Sequence, residues 1–242
     1  MNWEEETLSE EDLTLSLNNV QVSPGPEENS YLSVLETSRG NVNSLLHPIE
    51  GGSNAIICVG GANGGLNGPA HNLYARLPLL LEKSKITVLR IDYREPNHFA
   101  ECVLDVLAGC SFLKGIGAEA IILMGHSFGG GVVVSAARHH ALVHAVISLS
   151  PQRFGTALVS ELNMPLLLVH GTADKVLPCE ASKDIFERAN EPKQLVLYQE
   201  TEHSLTEARL EIDELIPNWI GERFSGKEMR SGKNIETINQ EN

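Results

Sequence analysis

Short apolar runs alternate with longer amphipathic segments along most of this chain. Six of the runs have the length and β-branched content of strands: Ala55–Gly60, Ile86–Ile91, Ala120–Met124, Leu142–Leu149, Pro165–Val169 and Gln194–Tyr198. They are continuously apolar rather than alternating, which is typical of strands buried on both faces of a parallel sheet. The pattern therefore predicts a central parallel sheet.

The segments between these runs have helical spacing. Within 97–114, apolar residues recur three or four positions apart, as Phe99, Val103, Val106, Cys110 and Leu113. A second such segment spans 205–220, where Ser204 and Glu207 are spaced as a capping box at the start of the helix. Helices are thus predicted to alternate with the strands.

The N-terminal part has a different pattern. Leu13–Val22 and Tyr31–His47 predict a β-meander with a turn at Ser38–Asn41. A few antiparallel strands followed by a β-α series predict an α/β fold, with one doubly wound, mostly parallel sheet that has an antiparallel N-terminal edge. The predicted organisation is an acidic flexible tail (1–12), one domain (13–224) and a polar flexible C-terminal tail (225–242).

Composition narrows the possible partners. The 242 residues carry 18 Lys and Arg against 32 Asp and Glu, a net charge of −14, which argues against binding to nucleic acid. No apolar run approaches the roughly 20 residues of a membrane-spanning helix, so no membrane insertion is expected. The acidic start predicts a solvated tail, with partner docking as the alternative. Oligomeric state has no signal in the sequence.

The N-terminal sequence lacks the basic and apolar regions of a secretory signal. The four cysteines, Cys58, Cys102, Cys110 and Cys179, have neither CxxC nor zinc-ligand spacing. They are expected to be reduced thiols of a cytoplasmic protein that holds no metal.

The sharpest chemical signal is the G-x-S-x-G sequence formed by residues 125–129. The strand Ile121–Met124 leads into it and a helix-compatible segment, Val132–His139, follows it. This context predicts a tight strand-to-helix turn that exposes the oxygen of Ser127 as a nucleophile.

A serine hydroxyl needs a base, and the base needs an orienting acid. Asp174 follows the strand Pro165–Val169, and His203 follows the strand Gln194–Tyr198. Since parallel strands end at the same edge of a sheet, Ser127, Asp174 and His203 are predicted to meet as nucleophile, acid and base. Asp174 could instead cap a turn, and His203 could simply begin a helix.

Several rivals fit these roles less well. Glu180 is a distant second choice for the acid. His170 precedes the acid and is expected to pack or hydrogen-bond within its turn. His139, His140 and His144 come too early in the chain to supply the base and are expected to be structural.

A glycine-rich segment, residues 60–65, follows the first parallel strand. Its bare amides could stabilise an oxyanion together with the amide of Phe128, and Ala62 is the first choice for the second donor, with Gly61 close behind. The segment matches neither a P-loop nor GxGxxG, which leaves nucleotide binding or a plain flexible loop as weaker alternatives.

These motifs resemble those of the α/β-hydrolase superfamily, over about residues 30–221. The matching pieces are Gly125-His126-Ser127-Phe128-Gly129-Gly130, His170-Gly171-Thr172-Ala173-Asp174 and Glu202-His203-Ser204. The chain looks like the compact, dienelactone-hydrolase-like and small esterase members, but with Ser in place of the Cys nucleophile. The resemblance implies an eight-stranded-type sheet and the roles given above for Ser127, Asp174 and His203. Only about fifteen residues separate Ser150 from Pro165, which leaves room for one short helix (Phe154–Leu162) and no lid domain.

The sequence therefore predicts a serine hydrolase of the carboxylesterase or thioesterase kind, acting without a cofactor on a small-molecule ester, thioester or small amide. Asn63, His126 and Arg94 are candidate substrate contacts, although Arg94 could equally be held in a local salt bridge. The alternatives are an acyltransferase and a non-catalytic binding protein on the same scaffold.

Overall fold

A computed structural model describes residues 14–227 and 235–239. Its ten strands form one sheet, in the order β1-β2-β3-β5-β4-β6-β7-β8-β9-β10. The strands are β1 (Leu17–Pro24), β2 (Tyr31–Thr37), β3 (Gly40–His47), β4 (Asn54–Val59), β5 (Ile86–Asp92), β6 (Ala120–His126), β7 (Val143–Leu149), β8 (Leu166–Gly171), β9 (Lys193–Tyr198) and β10 (Ile235–Ile238). The first three pair antiparallel, β3 joins β5 antiparallel, and β4 to β10 run parallel.

In the described part of the chain, five α-helices cover the two faces of the sheet. They are α1 (Pro69–Leu80), α2 (Phe99–Gly115), α3 (Phe128–Ala137), α4 (Glu180–Arg188) and α5 (Arg209–Phe224). One apolar core lies between the sheet and α2, α3 and α4. The other lies between the sheet and α1 and α5. Because both faces are covered, the parallel strands are apolar along almost their whole length, as the sequence pattern requires.

The predicted fold class is confirmed. The six apolar runs are strands β4 to β9, and the meander is β1 to β3 with its turn between Thr37 and Gly40. The eight-stranded-type sheet is present as β2 to β9, with β1 and β10 added at its two edges.

The predicted capping box is wrong. Helix α5 begins at Arg209, four residues beyond the start of the predicted segment. The Ser204 hydroxyl instead lies 2.9 Å from that of Thr206, and the Glu207 carboxylate accepts a hydrogen bond from the Glu202 amide at 3.2 Å. These side chains stabilise the loop after β9 rather than the start of a helix.

The C-terminal tail differs from the prediction in one segment. Ile235–Ile238 form β10, which pairs parallel with Leu195–Tyr198 of β9 and extends the sheet. A four-residue edge strand with exposed side chains has too weak a periodicity to be distinguished from a polar tail. The acidic tail predicted at 1–12 lies outside the described residues, as do 228–234 and 240–242.

No lid covers the carboxyl edge of the sheet in the described part of the chain. Between β7 and β8 there is one 3₁₀ turn, Val159–Glu161, in place of the predicted helix Phe154–Leu162. The four cysteines are buried and free. Within residues 14–227 and 235–239, no helix combines the length and the apolar character needed to cross a membrane.

An ion pair between a fully buried arginine and a half-buried glutamate joins the N-terminal meander to the parallel sheet. Arg90 on β5 is fully buried, and its guanidinium contacts the Glu27 carboxylate at 2.5 Å. Glu27 lies in the loop between β1 and β2, and the same carboxylate oxygen is 3.2 Å from Nε2 of His47. Because a buried guanidinium needs a counter-charge, this contact fixes the loop against β5.

Replacing Glu27 should therefore destabilise the fold. In Glu27→Ala, the buried charge of Arg90 loses its partner, and the free energy of unfolding should fall by about 3 kcal/mol. Urea unfolding followed by circular dichroism measures this loss. Glu28→Ala, which removes the exposed neighbouring carboxylate, is the matched control and should change stability by less than about 0.5 kcal/mol. Equal stability of the two variants would show that Arg90 does not depend on Glu27.

Candidate active site

Ser127 lies on a sharp turn between β6 and α3. Its backbone is left-handed, with φ 58° and ψ −117°, a conformation that costs a non-glycine residue of order 1–3 kcal/mol. The strand ends at His126 and the helix starts at Phe128, so Ser127 alone makes the turn. This confirms the strand–turn–helix geometry predicted from the sequence.

The two motif glycines are required by close approach of the backbone. A Cβ on Gly125 would overlap the carbonyl of Gly129, and a Cβ on Gly129 would overlap the carbonyl of Gly60. The start of α3 therefore lies directly against both β6 and the loop after β4. Any other residue at either position would push the turn out of place.

The three predicted residues meet in one hydrogen-bonded chain. Nε2 of His203 lies 2.9 Å from Oγ of Ser127, and Nδ1 of His203 lies 2.7 Å from Oδ2 of Asp174. Ser127 follows β6, Asp174 follows β8 and His203 follows β9. The arrangement can move a proton from the serine hydroxyl to an imidazole whose other nitrogen is held by a carboxylate.

The Asp174 carboxylate is buried but well supplied with donors. Oδ1 accepts hydrogen bonds from the amides of Val176 at 2.8 Å and Leu177 at 2.9 Å, and Oδ2 faces His203. Burial acts to raise the pKa of Asp174, but the Leu177 amide, the His203 side chain and the Val176 amide outweigh it and hold the pKa below its usual value. The acid is therefore ionised at neutral pH.

The loop carrying His203 is fixed from two sides. Nε2 of His126, at the end of β6, donates a hydrogen bond to the carbonyl of His203 at 3.0 Å. The amide of Ala70 donates to the carbonyl of Ser204 at 2.7 Å. The backbone at and just after His203 is thus tied to β6 and to α1, which restricts the direction of the ring.

His126, predicted as a substrate contact, lies against the loop that carries His203. Its ring is largely enclosed, with its centroid 4.9 Å from that of His203. Burial lowers the pKa of His126 to about 4, although the hydrogen bond to the His203 carbonyl opposes the shift. His126 is therefore neutral at pH 7, with its proton on Nε2. Its described polar contact is to the His203 backbone.

The glycine-rich loop reaches the nucleophile. The Gly64 amide donates to the Gly61 carbonyl at 3.0 Å, which makes a tight turn with Ala62 and Asn63 at its exposed tip. A Cβ on Gly61 would lie 3.6 Å from Cβ of Ser127. The loop is thus beside the serine. Phe128 lies at the first turn of α3, where helical amides lack intrahelical acceptors.

Arg94 does not serve as predicted. Its guanidinium is paired with the carboxylates of Asp105 and Glu101 on α2, and it also donates to the carbonyl of Arg39. The Arg94 side chain is only 5% exposed. The salt-bridge alternative is therefore correct, and Arg94 is not available to a substrate.

The rival side chains are placed elsewhere. Glu180, the second choice for the acid, is exposed on α4 and pairs with Lys183. His170 hydrogen-bonds within its turn as expected, but one partner is Asp174 itself, at 3.0 Å, and another is Ser182 at 2.7 Å. The four-residue spacing of His170 and Asp174 in the sequence is compatible with their contact. The contact with Ser182 depends on how α4 packs and has no sequence signal.

No group of metal-ligating side chains occurs in residues 14–227 or 235–239.

Two known groups of proteins are similar to this chain in sequence. A family model described as serine aminopeptidase, S33, matches residues 152–208, which include Asp174 and His203. The uncharacterized protein YfhR of Salmonella typhimurium is 25% identical over 182 residues, which cover 57% of this chain. The match spans 62% of the length of that relative.

Solved structures share the architecture over most of the chain. The protein of unknown function ATU1826 from Agrobacterium tumefaciens matches with a TM-score of 0.72 and 17% identity, over 83% of this chain and 100% of that one. XC6422 from Xanthomonas campestris, an α/β serine hydrolase without a lid, matches with a TM-score of 0.65 and 22% identity, over 84% and 98%. The chain therefore has a lidless α/β-hydrolase fold, which confirms the resemblance at the level of the fold.

The lowered pKa of His126 predicts a specific loss of stability in acid. The unfolded chain binds a proton at this histidine near pH 6.5 and the folded chain only near pH 4, so stability rises with pH between these values and is lost as the pH falls. The contribution of His126 over this window is about 3 kcal/mol. His126→Gln, which can still donate to the His203 carbonyl, should flatten this part of the pH dependence.

Urea unfolding at a series of pH values between about 4 and 7 measures the slope of the free energy of unfolding against pH. This range spans the pKa values of His126 in the folded and unfolded chain. His98→Gln, which replaces an exposed histidine, should keep the wild-type slope. An unchanged slope in His126→Gln would show that this imidazole is not kept neutral by the fold.

Proposed function

We propose that this protein is a serine hydrolase that transfers an acyl group to water through an acyl-enzyme on Ser127. The observation that carries the proposal is the continuous hydrogen-bonded chain from Ser127 through His203 to the buried Asp174. Each member follows a different parallel strand, so the fold itself brings together three residues distant in sequence. The left-handed turn presents the serine oxygen at the open edge of the sheet.

In the proposed reaction, Oγ of Ser127 attacks the acyl carbonyl carbon while its proton moves to Nε2 of His203. The resulting oxyanion would be stabilised by the amide of Phe128 and by a second amide from Ala62 or Gly61. The C–O, C–S or C–N bond then breaks, and the leaving group takes the proton from His203. Water, deprotonated by the same imidazole, releases the acid and restores Ser127.

Asp174 supports both steps as an anion. It accepts a hydrogen bond from the Nδ1–H of His203, which leaves Nε2 free to take the serine proton, and its charge stabilises the imidazolium that forms. The amides of Val176 and Leu177 hold the carboxylate in the required orientation.

The open edge of the sheet favours small acyl compounds. With one 3₁₀ turn between β7 and β8, no covering domain encloses a long acyl chain there. We therefore propose small esters or thioesters as substrates. Small amides are the second candidate, because the family model that matches residues 152–208 is that of serine aminopeptidases.

An alcohol or thiol acceptor in place of water would make the same acyl-enzyme an acyltransferase. Asn63, at the exposed tip of the glycine-rich loop, is the proposed substrate contact.

Ser127→Ala tests the nucleophile. Wild-type protein treated with a fluorophosphonate should gain one adduct, mapped to Ser127 by peptide mass spectrometry, and the variant should gain none because it lacks the attacking oxygen. Hydrolysis of p-nitrophenyl acetate should fall by about 10⁶-fold in kcat. Ser84→Ala, which changes an exposed serine, should react like the wild type. Full esterase activity in folded Ser127→Ala would exclude the proposed nucleophile.

Asp174→Asn tests the acid. The neutral amide no longer fixes the imidazole tautomer, so kcat for p-nitrophenyl acetate should fall by about 10⁴-fold while the fold is kept. Near-ultraviolet circular dichroism checks the fold. Glu180→Gln, at the rejected alternative acid, should retain wild-type kcat. The assignment is wrong if Glu180→Gln is the variant that loses activity.

A further inference from the structure

We propose that His170 and Ser182 are a pair of positioning residues that hold the carboxylate of Asp174, extending the hydrogen-bonded chain to five residues. This inference rests on the proposed function. The chain runs Ser182, His170, Asp174, His203 and Ser127, with separations of 2.7, 3.0, 2.7 and 2.9 Å.

The contacts of His170 determine where its proton lies. Nε2 is 3.0 Å from Oδ2 of Asp174 and 3.0 Å from the carbonyl of Leu177. An ionised carboxylate and a carbonyl are both acceptors only, so Nε2 must carry a hydrogen. His170 therefore donates to the carboxylate that also receives the Nδ1–H of His203.

The other nitrogen explains the role of Ser182. His170 is fully buried, and burial lowers its pKa, which keeps the ring neutral at pH 7. With the proton on Nε2, Nδ1 is an acceptor, and the hydroxyl of Ser182 on α4 donates to it at 2.7 Å. Ser182 is also fully buried, so its hydroxyl has no access to bulk water as an alternative partner. Ser182 thus selects the tautomer that lets His170 donate to Asp174.

This pair completes the support of the buried carboxylate. Oδ1 receives two backbone amides, and Oδ2 receives one imidazole N–H from each side. The titratable groups facing the Asp174 side are His170 from β8, His203 from the loop after β9 and, behind His203, His126 from β6. Without the His170 donor, Oδ2 keeps only the N–H of His203, so the carboxylate is less firmly held and its charge is stabilised by one donor fewer.

Two consequences follow for catalysis. A less firmly held carboxylate orients His203 less well, which lowers kcat but leaves substrate binding unchanged. A carboxylate with one donor fewer attracts the imidazolium of His203 more strongly, which moves the acid limb of the kcat/KM profile to higher pH. A merely structural role for His170 would lower stability without moving this limb.

The test compares His170→Leu, His170→Gln and Ser182→Ala with the wild type on p-nitrophenyl acetate. His170→Leu removes the donor and should lower kcat by about 10- to 100-fold, with KM changed by less than about 2-fold. His170→Gln keeps an N–H near the Nε2 position and should recover part of the loss. Ser182→Ala should give an intermediate decrease, with the acid limb moved in the same direction. Ser33→Ala, a buried serine on β2, is the matched control for loss of a hydroxyl.

Fluorophosphonate labelling of the wild type separates the two proposals. If the wild type forms no adduct on Ser127, the proposed function fails and the positioning role fails with it. If the wild type reacts but His170→Leu and Ser182→Ala keep its kcat and its pH profile, the function stands and the positioning role is excluded. Should His170→Leu not fold, Ser182→Ala decides alone: a lower kcat with a displaced acid limb supports the pair, and a wild-type profile overturns it.

Discussion

Ser127 keeps a left-handed backbone between a buried strand and a buried helix, and the surrounding chain passes close enough to hold it there. The carbonyls of Gly60 and Gly129 occupy the space that side chains would take at Gly129 and Gly125. The strain at one residue is thus offset by the packing of two whole elements, β6 and α3, against the core. The placement of the glycine-rich loop and of the start of α3 beside Ser127 depends on this close backbone contact.

The second constraint is electrostatic. A carboxylate shielded from water at Asp174 is stable as an anion only because backbone amides and imidazole N–H groups converge on both of its oxygens. These donors are already in place in the free protein. The charge that would stabilise an imidazolium is therefore oriented before a substrate binds, and little reorganisation is needed during the proposed reaction.

The sequence predicts the sheet and the three-residue chain well, because both depend on where buried strands end. It fails where the outcome depends on the register of a helix, on hydrogen bonds within a loop or on the pairing of a short edge strand. Arg94 lies just past β5, as a substrate-binding residue would, but the register of α2 brings Asp105 and Glu101 to its guanidinium. Helix α5 begins later than the spacing of Ser204 and Glu207 suggests, because both side chains form hydrogen bonds within the loop after β9. Strand β10 pairs with β9 through its backbone and buries little more than part of Ile238, so hydrophobic periodicity does not reveal it.

The separation of the site residues along the chain also has a kinetic meaning. Ser127 and His203 are 76 positions apart, and His203 and Asp174 are 29 apart. Closing loops of this size costs more conformational entropy than forming the local helices. The hydrogen-bonded chain is therefore assembled only when β8 and β9 have joined the sheet. A partly folded molecule that already holds the turn at Ser127 still lacks the imidazole and the carboxylate, and so a nascent chain carries an inert serine until its C-terminal half has docked.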